Sequence, residues 1–313
     1  MPRFVAIDLA KLPPPDAVQV PDFEALLAER KADIVARVAA RVDDPALIAD
    51  LQAVLNLESE PLTIDAEVGT YREVIMHERI NDAVRAVLLP TSRGADLDAL
   101  CSRLGVQRMT ITPATQTAAA VMESDSELQY RYQLALEAFS VAGPYGAYEF
   151  HARSTHPGVK DAACYGPESG LVTPGQTLTV LLSRTGNGAA SAEIVNAVTA
   201  KLGNEDVVPD TDQVFVRSAT ITNYAISYHL QVRPGADPAV LVNAAIAALT
   251  AYAAECHKVG HIVALSALDG AAHQDRVNVV RAVRASPVAE VNPGLDGAPY
   301  CTGITVTYEV TSG

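Results

Sequence analysis

The sequence predicts an α+β protein: an N-terminal helical region followed by α+β domains with mixed or antiparallel sheets. Three observations carry this. Apolar residues recur at helical spacing up to about residue 110. From Thr177 onward the segments run strand, helix, strand, strand, helix, strand, strand, the order of split βαβ units with helices on one sheet face. The chain has 313 residues, 49% hydrophobic and 19% charged, which suffices for a core without staples and for about two domains. The expected organisation is an extended arm (1–21), a helical region (22–113), a mixed connector (114–175) and one or more α+β domains (176–313).

In the arm, Val5 to Leu9 could add a short strand to a sheet, and Pro13-Pro14-Pro15 is a stiff spacer without backbone donors. Asp22 reads as the cap of a helix over 22–41, with Phe23, Leu26, Leu27, Ile34 and Val38 forming one narrow stripe. Asp44 and Pro45 break that helix and start the next, Asp44 as cap and Pro45 at the first helical position. The strongest helical pattern covers 63–89, with Ile64, Val68, Tyr71, Ile75, Val84 and Leu88 in register. A short helix over 95–104 closes at Gly105.

Residues 115–121 are Thr/Ala-rich and predict a strand. Ser124 and Glu127 have capping-box spacing and open a helix that ends before Gly143-Pro144; 145–154 is a further helix. Strands are expected at 159–165, 177–183, 213–217, 221–232, 277–283 and 304–310. Gly186-Asn187-Gly188 is a turn, and helices are expected over 191–202 and from Asp237-Pro238 to about His257.

The formal net charge is −14, from 23 Lys and Arg against 37 Asp and Glu. Nucleic-acid binding and polybasic membrane docking both depend on Lys/Arg contacts, so neither is expected. Cys101, Cys164, Cys256 and Cys301 lie far apart with no CxxC pair, which fits a reducing compartment. No secretory h-region is read near the start, and no stretch is read as approaching the ~20 apolar residues of a membrane span. The expectation is a soluble protein that is not exported.

Motifs for chemistry are weak. Cys256, His257 and His261 are possible metal ligands, with the two histidines four apart, but Gly260 favours ending a helix there and no HExxH general base accompanies them. A hydrolase using that site is the alternative reading. The loop Gly143 to Tyr148 could present N–H groups to a phosphate but lacks the Walker Lys-Ser/Thr. Cys164 with His156 is a conceivable thiol–base pair, and Glu58/Glu60 or Asp96/Asp98 conceivable carboxylate pairs, but residues two apart on a helix do not face each other. No catalytic residue, cofactor or metal is therefore assigned. The helix over 22–41 is more informative. Its stripe of Phe23, Leu27, Ile34 and Val38 must be covered, because burying each is worth ~1.5–3 kcal/mol. Either the chain's own 64–88 helix covers it, or a bundle shared with other chains does.

Taken in order, several segments resemble the J-type baseplate assembly proteins of contractile-tailed phages. They are Leu57-Glu58-Ser59-Glu60-Pro61-Leu62, Tyr71-Arg72-Glu73, Arg79-Ile80-Asn81-Asp82-Ala83, and Gly94 to Leu100 with Leu104-Gly105-Val106. There follow Glu123-Ser124-Asp125 with Leu128 and Arg131, Ala142-Gly143-Pro144 with Gly146-Ala147-Tyr148, and Val159-Lys160-Asp161-Ala162. The likeness ends with Leu182-Ser183-Arg184, Gly186 and Gly188, Pro209-Asp210-Thr211-Asp212, and Tyr300-Cys301-Thr302. The resemblance implies a non-enzymatic wedge subunit of the virion's tail baseplate, made in the host cytoplasm. It implies pairing with a second copy and a smaller wedge protein through a shared bundle of N-terminal helices. Neighbouring wedges would join into a ring around the tail hub, in contact with hub or sheath components, and relay the contraction trigger.

Overall fold

The computed structural model describes residues 6–140, 143–209 and 212–311. Two compact units are present, Ile7–Arg103 and one built on Leu104–Gly313. The α+β expectation holds, with helices first and small sheets after them.

The helical unit contains α1 (Phe23–Ala39), α2 (Pro45–Val54), α3 (Pro61–Ala86) and α4 (Gly94–Cys101). The capping chemistry is as the residues dictate. Asp22 Oδ1 accepts from Ala25 N at 3.0 Å, and Asp44 Oδ1 from Ala46 N at 3.0 Å with Pro45 at the first helical position. Pro61, rather than Thr63, opens α3, for the same reason. The strand considered for Val5 to Leu9 is not formed among the described residues. Asp8 instead caps a 3-10 turn, Leu9–Lys11, and residues 1–5 lie outside the description.

Beyond the prolines, the chain is tied to α3. Buried Asn81 accepts from Ala17 N and Val18 N at 2.9 and 3.0 Å and donates to Val18 O at 2.9 Å. Arg85 pairs with Asp16 at 2.6 Å, and His77 Nδ1 meets Gln19 O at 3.2 Å. One amide side chain thus satisfies three backbone groups that no secondary structure pairs.

The second unit opens with a two-stranded ladder, β1 (Thr110–Thr112) and β2 (Val121–Met122). The strand expected over 115–121 is mostly the loop between them. There Thr115 Oγ1 accepts from Ala118 N at 3.1 Å, a local bond that competes with a ladder. Next come α5 (Asp125–Ala135), with its complete Ser124–Glu127 capping box, and α6 (Tyr145–Thr155). Strands β3 (Val159–Tyr165), β4 (Gln176–Ser183) and β5 (Gln213–Ser218) form the first sheet in the order β3-β4-β5. β3 is antiparallel to β4, whereas β4 and β5 are parallel and joined by α7 (Ala192–Leu202). Tyr148, Ala152, Leu181, Val198 and Leu202 close the core between this sheet and α6 and α7.

The second sheet runs β7-β6-β8, with β6 (Thr220–Val232) antiparallel to β7 (Val279–Ser286) and parallel to β8 (Gly297–Val310). β8 starts seven residues earlier than expected, because Gly297 to Gly303 carry on the pairing with β6 across a bulge near Tyr224. Helix α8 (Pro238–Cys256) lies on this sheet through Leu241, Ala245, Leu249, Ala253 and Cys256, and α9 (Leu265–Ala272) extends the cover. α9 is absent from the expected elements, since eight residues give too few turns for a clear period. α8 is long and apolar enough by length and composition to cross a membrane, contrary to the expectation of no such stretch. Its buried row packs on β6 and β8, as a core helix does.

Asn81→Leu keeps the bulk but removes all three bonds to the segment at Ala17 and Val18. Amide exchange at those two residues should rise by more than tenfold while the centre of α8 is unaffected; hydrogen–deuterium exchange read by mass spectrometry measures both.

Candidate functional site: an ionic junction and an exposed helical face

The metal alternative does not assemble. α8 ends at Cys256, so His257 and His261 do not share a helix face. The ammonium of Lys160 can only donate, so His257 Nδ1 accepts from it at 3.0 Å, leaving Nε2–H to donate to Asn187 O at 3.3 Å. Both ring nitrogens are thereby engaged. Cys256 is buried, and burial pushes its thiol up. Among the described residues no group of three or more His, Cys, Asp or Glu is placed to hold a metal ion.

The other candidates are also dispersed. Burial pushes the Cys164 thiol up to about 12, the opposite of an activated nucleophile, and His156 Nδ1 accepts from Gly158 N at 2.9 Å. At the start of α6, Tyr148 donates to Asp212 at 2.9 Å and Tyr145 to Glu168 at 3.0 Å. Two carboxylates facing that helix start disfavour a phosphate there. Glu58 and Asp96 are exposed.

What the structure does bring together is charge. Arg131 meets Glu123 through both carboxylate oxygens at 2.7 Å, with the residues only 5% and 2% exposed. The same guanidinium donates to Gln107 O at 2.6 Å and Ser154 Oγ at 3.1 Å, and Glu123 also accepts from Met109 N at 3.1 Å. Arg108 bridges Asp125 and the Glu123 carbonyl, both at 2.7 Å. Arg184 pairs with Glu127 and donates to Pro157 O at 2.8 Å. Arg153 pairs with buried Asp161 while lying over the Tyr130 ring at 4.5 Å. Asp161 reaches onward to accept from Val259 N at 2.8 Å, next to the Lys160–His257 contact. Glu123, Glu127, Arg131, Arg153, Lys160 and Arg184 thus gather around one small cavity, and Asp161 ties β3 to the loop after α8.

Environment shifts these groups in opposite directions. Burial raises the Glu127 carboxyl, but Arg184 and Ser124 outweigh it and hold the group below its usual range. Burial lowers Lys160, and burial followed by the charge of Lys160 lowers His257. Glu123, Asp125, Arg131, Lys160, Asp161 and Arg184 all fall in segments quoted above for their likeness to a family. Arg108 and Arg153 do not. The signal that could have found the junction is charge inside apolar runs: Lys160-Asp161 interrupts β3, and Arg131 sits on the face of α5 that also carries Leu128 and Leu134.

The helical unit supplies the second feature. α1 packs on α3, with Leu27 buried and Phe23, Ile34 and Val38 half-buried. Arg30 crosses to pair with Glu73 and passes so close to Gly69 that a Cβ there would sit 2.7 Å from Nη1. The residues α3 buries are Thr63, Ala66, Thr70 and Asn81, small or polar. Its apolar row faces out instead: Ile64, Val68 and Tyr71 are 46%, 45% and 60% exposed.

An inventory of this kind, with charges locked in pairs and a helix turned apolar side out, describes a protein built to be assembled with others. The Baseplate J-like N-terminal domain matches residues 58–115 and the Baseplate J-like central domain residues 140–218. The chain is similar to Baseplate protein J of Escherichia phage P2, at 39% identity over 311 residues and 98% of each chain. The chain belongs to the baseplate J-like family. The central-domain match spans β3, β4 and β5 and stops at the end of β5.

Two outcomes follow from the junction. Glu123→Leu alone strands a buried guanidinium and should cost about 3–5 kcal/mol in urea unfolding, whereas Glu123→Leu combined with Arg131→Met should recover most of that loss. His257 has a folded pKa below its ordinary 6.5. The unfolded chain therefore binds the extra proton first, and stability falls as pH drops from 6.5 to the depressed value. His257→Gln should flatten that part of the profile. It should leave the lower window, from 4.5 downward, in which Glu127 loses its own contribution. Unfolding free energies measured from about pH 8 down to about pH 3 separate the two windows.

Proposed function

We propose that the chain is a structural wedge subunit of a contractile-tail baseplate. In this reading two copies and one smaller partner share a bundle of N-terminal helices. The remaining domains join neighbouring wedges into a ring around the tail hub and pass on the contraction trigger. It works without catalysis, in the virion, after assembly in the host cytoplasm. Membership of the baseplate J-like family supports the structural role, and the name of the phage P2 relative points the same way.

The observation that carries the bundle is the outward row on α3. Ile64, Val68 and Tyr71 repeat at four and three residues, the spacing of a helix–helix seam. Covering each would gain up to ~1.5–3 kcal/mol, scaled by the half still exposed. The proposed interface joins this row to the half-buried Phe23, Ile34 and Val38 of α1, with Leu27 fixing α1 beneath. Among the described residues, nothing in the helical unit buries that row.

Ile64→Asp with Tyr71→Asp alters two exposed side chains, so the urea midpoint should stay within the equivalent of about 0.5 kcal/mol. When the remaining tail proteins are co-expressed, the variant should fail to enter baseplates, as seen by electron microscopy and by the protein content of purified tails. Baseplates of normal composition and form would remove the bundle from this reading.

A further inference from the structure

Lys160 is the cation that the ionic junction does not pair. Four of the junction's five cations hold a carboxylate: Arg108 has Asp125, Arg131 has Glu123, Arg153 has Asp161 and Arg184 has Glu127. Among the described residues Lys160 has none within ion-pair distance. Its chain neighbour Asp161 is engaged by Arg153 and Val259 N, and the ammonium donates to the neutral ring of His257 instead. Lys160 is half-buried, and burial lowers its pKa. One positive charge is left over in a partly dry position, which costs free energy unless an opposite charge comes close.

That remainder stands at the small cavity inside the junction. Glu127 and Arg131, one turn apart on α5, line it with Arg153 of α6, Lys160 of β3 and Arg184 just beyond β4. Arg153 brings a second unmet need. Its Nη2 pairs with Asp161 and its Nη1 donates to Lys160 O at 3.3 Å, but its Nε is buried and has no hydrogen-bond partner among the described residues. A buried N–H without an acceptor is rare in a folded protein and points to a partner other than a side chain. The unmatched charge and the unmatched donor lie on neighbouring elements around the same space.

Charge and size select the occupant. The lining carries four cations against the carboxylates of Glu123 and Glu127, so a further cation is repelled. A water would accept from the guanidinium but leave the extra charge as it is, whereas an anion meets both needs. The space open to the centre of a water-sized body is about 10 Å³, room for one such body. Phosphate, sulfate and an organic carboxylate each bring several oxygens and do not fit. A halide is a single sphere little larger than water, and it accepts from any direction, as an ammonium and a guanidinium on different elements require.

We propose that the cavity among α5, α6 and β3 is a binding site for one halide ion, chloride under physiological conditions, held by Lys160 and Arg153. The site goes beyond the wedge reading and does not rest on it. The NMR linewidth of chloride, titrated with the full chain, reads binding in solution. Wild type should broaden the line saturably, and bromide should reverse the effect. Lys160→Met keeps the stem and removes the charge, and should weaken chloride at least about tenfold. Lys201→Met removes an exposed cation of α7 and should leave binding unchanged. Crystals grown in sodium bromide should show one anomalous peak inside the cavity, a readout that needs no variant and decides the matter if Lys160→Met fails to fold. Broadening undiminished in Lys160→Met overturns the proposal, as does a cavity holding only water in the bromide crystals. Bromide in the crystal without a saturable chloride signal is an adventitious ion only, and overturns it too.

Discussion

The placement of the β1–β2 ladder and α6 around α5 turns on the Glu123–Arg131 pair. Two unit charges taken out of water cost several kcal/mol each, and only close, multiply bonded partners offset that. Glu123 and Arg131 meet the condition by binding each other bidentately and then using their remaining valences on Met109 N, Gln107 O and Ser154 Oγ. Those further contacts determine where the β1–β2 ladder and α6 lie around α5. The geometry is unforgiving: a slip of either element leaves a buried charge unpaired. An apolar contact at the same place would tolerate several packings of similar energy.

The same logic extends to the junction of the two sheets. Asp161 stands on β3 of the first sheet and accepts from Val259 N, beyond α8 of the second. Arg217 pairs with Asp296 at 2.7 Å, and Tyr165 donates to Leu295 O at 2.5 Å. Around these polar ties Ala163, Leu178, Val180, Leu182, Val259 and Ala298 form one apolar cluster. Dispersion and burial hold the sheets together, while the ionic contacts fix their register. His257 sits at the rim, close enough to Gly188 that a Cβ there would lie 2.6 Å from Nε2. Gly188 has φ +98, a conformation only glycine adopts readily, so the turn and the histidine contact depend on one residue.

Much of this was legible from local chemistry. The caps read at Asp22, Asp44 and Ser124 all accept from the helix starts they precede, because a short polar side chain before an apolar period has few other uses. β3 is found at the limits read from its apolar run. What stayed hidden needed distant partners. β8 reads short because Gly297 to Gly303 hold two glycines and a proline with Thr302 as the one β-branched residue, and only pairing with β6 makes them a strand. The ionic junction was present as family-like segments without a role, since Glu123 and Arg131 acquire meaning only when the interior around them is dry. The histidines at 257 and 261 have the spacing of a metal pair on a helix, but α8 stops before that spacing can act.

α3 shows why periodicity by itself does not assign an inner face. Ile64, Val68 and Tyr71 make a clear apolar row on α3, and a monomeric helix would turn that row inward. It turns Thr63, Ala66, Thr70 and Asn81 inward instead. Thr70 satisfies its hydroxyl on Ala66 O at 2.8 Å, Asn81 satisfies the backbone at Ala17 and Val18, and small residues let Arg30 approach. The polar face is thus fully used within the chain, and turning the helix over would break those bonds and bury unpaired groups. An apolar row held outward by the chain's own hydrogen bonds cannot relax by rotation. It stays available for another surface, which a subunit of a large assembly requires before its neighbours arrive.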